Sequence, residues 1–407
     1  MALTGDADAW APRAPSVTWN TLVKQFCADV YGKEVQDPAT YSYMWIADQS
    51  GHIFIGVLVQ CLASLAFKLL LFVLTAWLSL QVPEGVAYFV YAWGSVLLAA
   101  IVVSSWERSA YRSAVSDATG LFPLDRKLLR ENATVAAYYM ILGVAVGGLF
   151  HIIDNGWWQA LGLAIVILLG FAPIPRWLRQ KIIWQRASLP YLYRLADMQH
   201  TLGVNKAREL QALIDAQAPP VAVPRQIVIS GPIDSGRTDI AAGIGTEFAF
   251  KDTMVRYLNL GTLLEFAAQQ PVGDDTGPPN LDYWHWFEAQ VIIIDDIGPL
   301  IAVHRDAGKG SVDRFYEMLD TGLKPILEML GQRHTVWVFG DLRTGDDGGV
   351  RSDALKAIAA RIAKRCNARE DALVVELTQQ RCERPRKASQ VIVPENGAEI
   401  SHVAPEE

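Results

Sequence analysis

The side chains best placed to do chemistry lie in two short stretches, "GPIDSGRT" at residues 231–238 and "VIIIDD" at 291–296. The first follows the apolar run "RQIVIS" and opens "RTDIAAGIGTEFAF", so a strand, a glycine-bounded loop and a helix are expected in succession. Gly231 and Gly236 let the backbone curl with its N–H groups inward, the geometry that cradles phosphate, and the helix start adds its positive dipole end. Gly231, Pro232, Ile233, Asp234, Ser235 and Gly236, with Arg237, Thr238 and Asp239 at the helix start, are the candidate nucleotide-binding set. The pattern approaches a phosphate-binding P-loop, G-x-x-x-x-G-K-[ST], with Arg237 in the lysine position. A guanidinium keeps the charge that attracts phosphate but is wider than an ammonium, so binding is expected and turnover should be slow or absent.

In "VIIIDD" an apolar strand ends in two carboxylates at its C-terminal edge, where open α/β sheets bind ligands. Thr238 and Asp295 would hold Mg2+, and Asp296 would orient or deprotonate an attacking water. ATP with Mg2+ is therefore the expected cofactor. The elements around these stretches alternate. "RQIVISG", "TMVRYLNLG", "QVIIIDDIG", "HTVWVFGD" and "DALVVELTQ" read as buried strands. Helical patterns lie between them: "RTDIAAGIGTEFAF", "TLLEFAAQQ", "DRFYEMLDTGLKPILEML" and "RSDALKAIAARIAKRC". That order predicts a parallel sheet covered on both faces.

With these motifs in place, residues 226–380 resemble the AAA+ ATPase core of bacterial replication initiators and their helicase-loader relatives. The likeness rests on "GPIDSGRT", "VRYLNLGTLLEF", "VIIIDDIG", "VWVFGDLR" and "ARIAKRCNAREDALVVELTQ". It implies that Asp341 is a sensor residue and that Arg365, with Arg361 as second choice, reaches a neighbouring subunit's nucleotide. A homo-oligomer or a cytoplasmic protein partner is implied with it. The family's helical lid has no counterpart in residues 381–407, which read as a disordered tail.

The rest of the chain has a different character. Of its 407 residues, 51% are hydrophobic and 19% charged. Apolar runs at 53–79, 85–104, 134–153 and 157–174 meet or approach the length that crosses a bilayer. Links 80–84 and 154–156 carry no lysine or arginine, whereas the loop 105–133 and the segment "RWLRQKIIWQR" are basic. Positive charge stays on the cytoplasmic side. Both termini are thus expected in the cytoplasm, with a bacterial inner membrane as the expected location. Lys68, inside the first run, reads as snorkelling or facing the bundle interior. "WNTLVKQFCADVYGK" (19–33) reads as a short amphipathic helix. The net charge of −7 argues against nucleic acid as the main partner, and the four scattered cysteines suggest neither disulfides nor a metal site. Trp284 and Trp286, in a Gly/Pro-rich segment, are either partner anchors or a cap on the core.

The expected architecture is a multi-pass α-helical membrane domain of four transmembrane helices plus a cytoplasmic α/β P-loop NTPase domain with a parallel sheet. Its parts are an N-terminal segment (1–51), the membrane domain (52–174), a basic juxtamembrane helical linker (175–224), the NTPase-like domain (225–380) and the tail. The expected function is a membrane-anchored AAA+-like ATPase that drives or gates assembly or partner interaction at the cytoplasmic face. The alternatives are a non-hydrolysing nucleotide-binding scaffold and a ligand-gated membrane effector or channel.

Overall fold

The computed structural model describes residues 17–31, 37–77, 83–116, 122, 126–197, 202–215, 223–231, 235–268, 286–297, 311–339, 352–368 and 371–377. The apolar half begins with α1 (Trp19–Tyr31), α2 (Asp37–Trp77), α3 (Glu84–Ser116), α4 (Arg126–Ile152) and α5 (Gly156–Gly170). The segments long and apolar enough to cross a membrane are Trp45–Trp77, Glu84–Ser116, Arg126–Ile152 and Gly156–Arg186. The loop expected at 105–133 is largely helix, because "SSWERSAYRSAV" contains no breaker and α3 runs on to Ser116.

Glycines set how closely these helices approach. A Cβ on Gly143 would lie 2.1 Å from the Ile53 carbonyl oxygen, and one on Gly56 would lie 2.0 Å from that of Met140. Gly147 meets the Gln60 side chain in the same way. Such small-residue spacing lets helix backbones touch, the packing favoured where lipid removes the hydrophobic drive. Beside this seam Gln60 Nε2 donates to Ser64 Oγ (3.2 Å) and Ser95 Oγ (3.1 Å), tying α2 to α3. Helix ends are capped by tyrosines: Tyr88 Oη donates to Ile152 O, Tyr138 Oη to Leu169 O and Tyr139 Oη to Gly170 O. The last carbonyls of a helix have no intrahelical donor, and these hydroxyls supply one. Lys68 lies on the exposed side of α2, its Nζ 5.2 Å from the centre of the Tyr91 ring.

The α/β half contains α6 (Ile174–Arg186), α7 (Val204–Asp215), α8 (Arg237–Phe250), α9 (Leu260–Ala268), α10 (Ser311–Asp320), α11 (Leu327–Gly331) and α12 (Ser352–Arg365). Its strands are β1 (Gln226–Ser230), β2 (Val255–Asn259), β3 (Val291–Asp295), β4 (His334–Phe339) and β5 (Leu373–Glu376). They form one sheet in the order β2-β3-β4-β1-β5, and every pairing is parallel. From β1 the chain jumps to the far edge, then steps back through β3 and β4 and passes over β1 to β5. Right-handed crossovers put α8 on one face and the later helices on the other. The core divides accordingly. Ile240, Ile244 and Phe248 of α8 pack with Ile227, Ile229 and Ile293, whereas Leu263, Phe315 and Ile358 pack with Val228, Ile292 and Trp337.

Two helix expectations need correction. The helical linker expected over 175–224 is interrupted: α6 ends at Arg186, residues 187–197 form a strap that ends in a 3-10 turn at Leu195–Asp197, and α7 starts at Val204. Pro190 explains this, since it withholds an N–H and pushes the preceding residue toward extended backbone. Within this segment Ile183, Trp184, Ala187 and Leu195 lie in the core beneath α8. Likewise, the helix expected over 313–330 breaks after Asp320 into a 3-10 turn at Lys324–Ile326 and α11, with Gly322 and Pro325 as the breakers.

At the N-terminal edge of the sheet, His334 is buried, its Nδ1 accepting from the Arg225 amide at 3.2 Å. Burial, and then the charge of Arg225, lower its pKa from 6.5 to about 4. The unfolded chain binds the proton more readily, so this contribution is fully present above pH 6.5 and is lost as pH falls toward 4. By pH 5 the expected loss is about 2 kcal/mol, read as a fall in melting temperature that His334→Gln should largely remove.

Candidate functional site

The crossover pattern leaves an opening at the carboxyl ends of β1 and β4, whose exits run to opposite faces of the sheet. The glycine loop leaves β1 at this opening. Gly231 has no room for a side chain: a Cβ there would lie 2.5 Å from Ser235 Oγ and 2.8 Å from Leu377 Cβ. Gly236 takes φ 81° and ψ 21° as it caps α8, a left-handed conformation that favours glycine. Gly236, the N-cap residue, has no side chain with which to cap the first turn of α8. A helix start of this kind has first-turn N–H groups that can receive anions. Ser235 is buried, and its hydroxyl has no hydrogen-bond partner among the described residues.

The carboxylates come from β3. Alternation along the strand turns Asp295 to the side of Val291 and Ile293, the face covered by α8. There Thr238 Oγ1 donates to Asp295 Oδ2 at 3.0 Å, joining residues 57 positions apart. Tyr257 Oη, on the adjacent strand, donates to the same oxygen, and the Asp296 amide donates to Asp295 Oδ1 at 2.7 Å. Asp296 itself has φ 57°, an uncommon backbone for a residue other than glycine. Partial desolvation, and then the charge of Asp295, raise its carboxyl pKa, with Arg237 opposing. A carboxyl whose pKa is raised beside the glycine loop suits proton transfer.

Arg237 folds back, its Nη1 donating to Gly231 O at 2.7 Å. Asp239 accepts a hydrogen bond from Tyr191 of the strap. Pro232, Ile233, Asp234, Asp341 and Trp284 lie outside the described residues. Trp286 stacks on Phe266 at 6.1 Å, which favours the core-capping role.

Arg365 and Arg361 are not gathered at this opening. Arg365 Nε lies 2.7 Å from Asp320 Oδ1, and Arg361 Nη2 lies 2.8 Å from Asp320 Oδ2. Desolvation works against the Asp320 carboxylate, but the hydrogen bonds and charges of both arginines hold its pKa below the ordinary value. α12 returns antiparallel to the strands, so its C-terminal end is carried away from the glycine loop of the same chain. A role for Arg365 at a nucleotide therefore requires a second chain.

The residues present fit a magnesium nucleotide. Mg2+ commonly takes one or two protein oxygens and completes its shell with phosphates and water, which matches Thr238 and Asp295. The Ser235 hydroxyl, without a partner among the described residues, and the start of α8 would supply donors for phosphate oxygens. Sequence reasoning missed Tyr257 and Tyr191. Tyr257 lies near Asp295 only through the β2–β3 register, and no local signal marks Tyr191. No known protein family matches the chain, and no curated protein matches its sequence.

Proposed function

We propose that this is a membrane-anchored nucleotide-binding protein of the P-loop type, resembling AAA+ ATPases, which takes ATP with Mg2+ at the opening at the carboxyl ends of β1 and β4, beside Asp295 of β3. The observation that carries the reading is the 3.0 Å contact of Thr238 with Asp295, which unites the two motifs at the carboxyl edge of the sheet. Bound Mg2+ would supply charge neutralisation at the phosphates. The loop amides and the start of α8 bind the phosphate tail, and Arg237 turns from Gly231 O to meet it. Asp296 holds the attacking water and accepts its proton. Four apolar helical segments support the bilayer as anchor, and their basic flanks support a cytoplasmic site in a bacterial inner membrane. Binding would then drive or gate assembly of further copies, or of a protein partner, through the face bearing Arg365.

Full-length protein in nanodiscs should bind a fluorescent ATP analogue more tightly with Mg2+ than without. Phosphate release should be slow in the natural protein and about 100-fold slower in Asp296→Asn. Equal phosphate release, with binding intact, would leave a scaffold that does not hydrolyse. An absence of binding would remove the proposal altogether.

A further inference from the structure

Two of the carboxylates around the glycine loop are held by tyrosines that belong to neither motif. Tyr257 donates to Asp295 from β2, and Tyr191 donates to Asp239 from the strap that follows α6. The two tyrosines are themselves linked through that strap. Ala187 O accepts from the Tyr257 amide at 2.8 Å, and Ser188 Oγ meets Arg256 Nη1 at 2.5 Å. Ser188 has φ 55°, a left-handed turn that brings the chain off α6 and onto the edge strand. Leu189 and Leu195 press against Gly245 and Gly243 of α8, where any side chain would collide with them.

The other end of this element reaches the apolar helices. Ile183 is fully buried against the α/β core, while Trp177 stacks on Trp45 of α2 at 4.6 Å. Glu131 of α4 pairs with Arg176, and only the short turn at residues 171–173 separates α6 from α5. Packed side chains therefore run without a gap from the helix bundle to the carboxylates that face the phosphate loop.

We propose that the strap at 187–193 is a positioning element of the nucleotide site and links that site to the membrane helices. Tyr257 and Tyr191 are its positioning residues. They set the carboxylates of Asp295 and Asp239, so binding of a magnesium nucleotide and the seating of α6 on α8 favour one another. Such coupling is reciprocal, because each event must shift the other by the same free energy. The inference rests on the nucleotide reading above.

The test uses full-length protein in nanodiscs, a fluorescent ATP analogue and a Mg2+ titration. Tyr257→Phe keeps the ring and removes the hydrogen bond. It should weaken Mg2+-dependent binding roughly tenfold while leaving Mg2+-free binding unchanged, as loss of a ligand-orienting partner does. Merely loosened packing would lower both, and melting curves check that the variants fold. Tyr191→Phe supplies the second arm. In the natural protein Mg2+ with ATP should slow hydrogen exchange at the Tyr257 amide, whose acceptor is Ala187 O. In Tyr191→Phe that slowing should shrink or vanish. Wild-type Mg2+ dependence in both variants, or exchange unaffected by nucleotide, overturns the linkage and leaves the nucleotide site standing. Failure of the natural protein to bind overturns the nucleotide reading and this one together.

Discussion

Asp295→Asn is expected to cost roughly 100-fold in Mg2+-dependent ATP affinity, the upper end of what loss of a supporting metal contact produces. The carboxylate is buried and meets three donors, from Thr238, Tyr257 and the Asp296 amide. An amide in its place brings its own N–H2 toward groups that already donate and removes the charge that would hold the ion. On the proposed function, nucleotide binding without Mg2+ would depend on the glycine loop and the start of α8, so it should change little. That split separates loss of the metal contact from a general loss of folding. Equal losses with and without Mg2+ would mean that Asp295 is a structural acceptor and nothing more.

The second large effect is expected far from this site. Gly143→Val should destabilise the helix bundle by about 3 kcal/mol or more. The obstacles to a Cβ are backbone atoms, the Ile53 carbonyl oxygen at 2.1 Å and the Gly56 Cα at 3.0 Å. No rotamer change relieves a clash with a carbonyl, so α2 and α4 must separate. Gly51→Ala is the control, because a Cβ there meets nothing within 4 Å. Unfolding followed in detergent should shift sharply for Gly143→Val and barely for Gly51→Ala. Matching behaviour in the two would show that α2 and α4 do not touch at this seam.

What could be read in the sequence was what local pattern determines. Apolar runs such as "VIIID" and "HTVWVF" mark buried strands, and α8 spans Arg237–Phe250 as its pattern indicates. The tight fit at Gly231, the left-handed Gly236 and the strand end at Asp295 were legible because a strand, a glycine-bounded loop and a helix leave a local pattern. The strap was not legible, because apolar residues at threes and fours from 185 onward imitate a helix and outweigh one proline. Its leucines and tyrosines are instead spaced to meet α8. The tyrosine partners of Asp239 and Asp295 depend on contacts across 48 and 38 positions, which no local window contains. The spacing of Gly143 and Gly147 does carry a packing signal, one that sequence reasoning passed over.

The burial of α6 beneath α8 has a consequence for biosynthesis. Translation is vectorial, so the apolar helices and α6 leave the ribosome before any strand of the sheet exists. When β1 and α8 emerge, part of their covering layer, α6 with Ile183 and Trp184, has already been made. The sheet is thus assembled onto a template made before it, and a ribosome stalled before Gln226 would hold that template exposed.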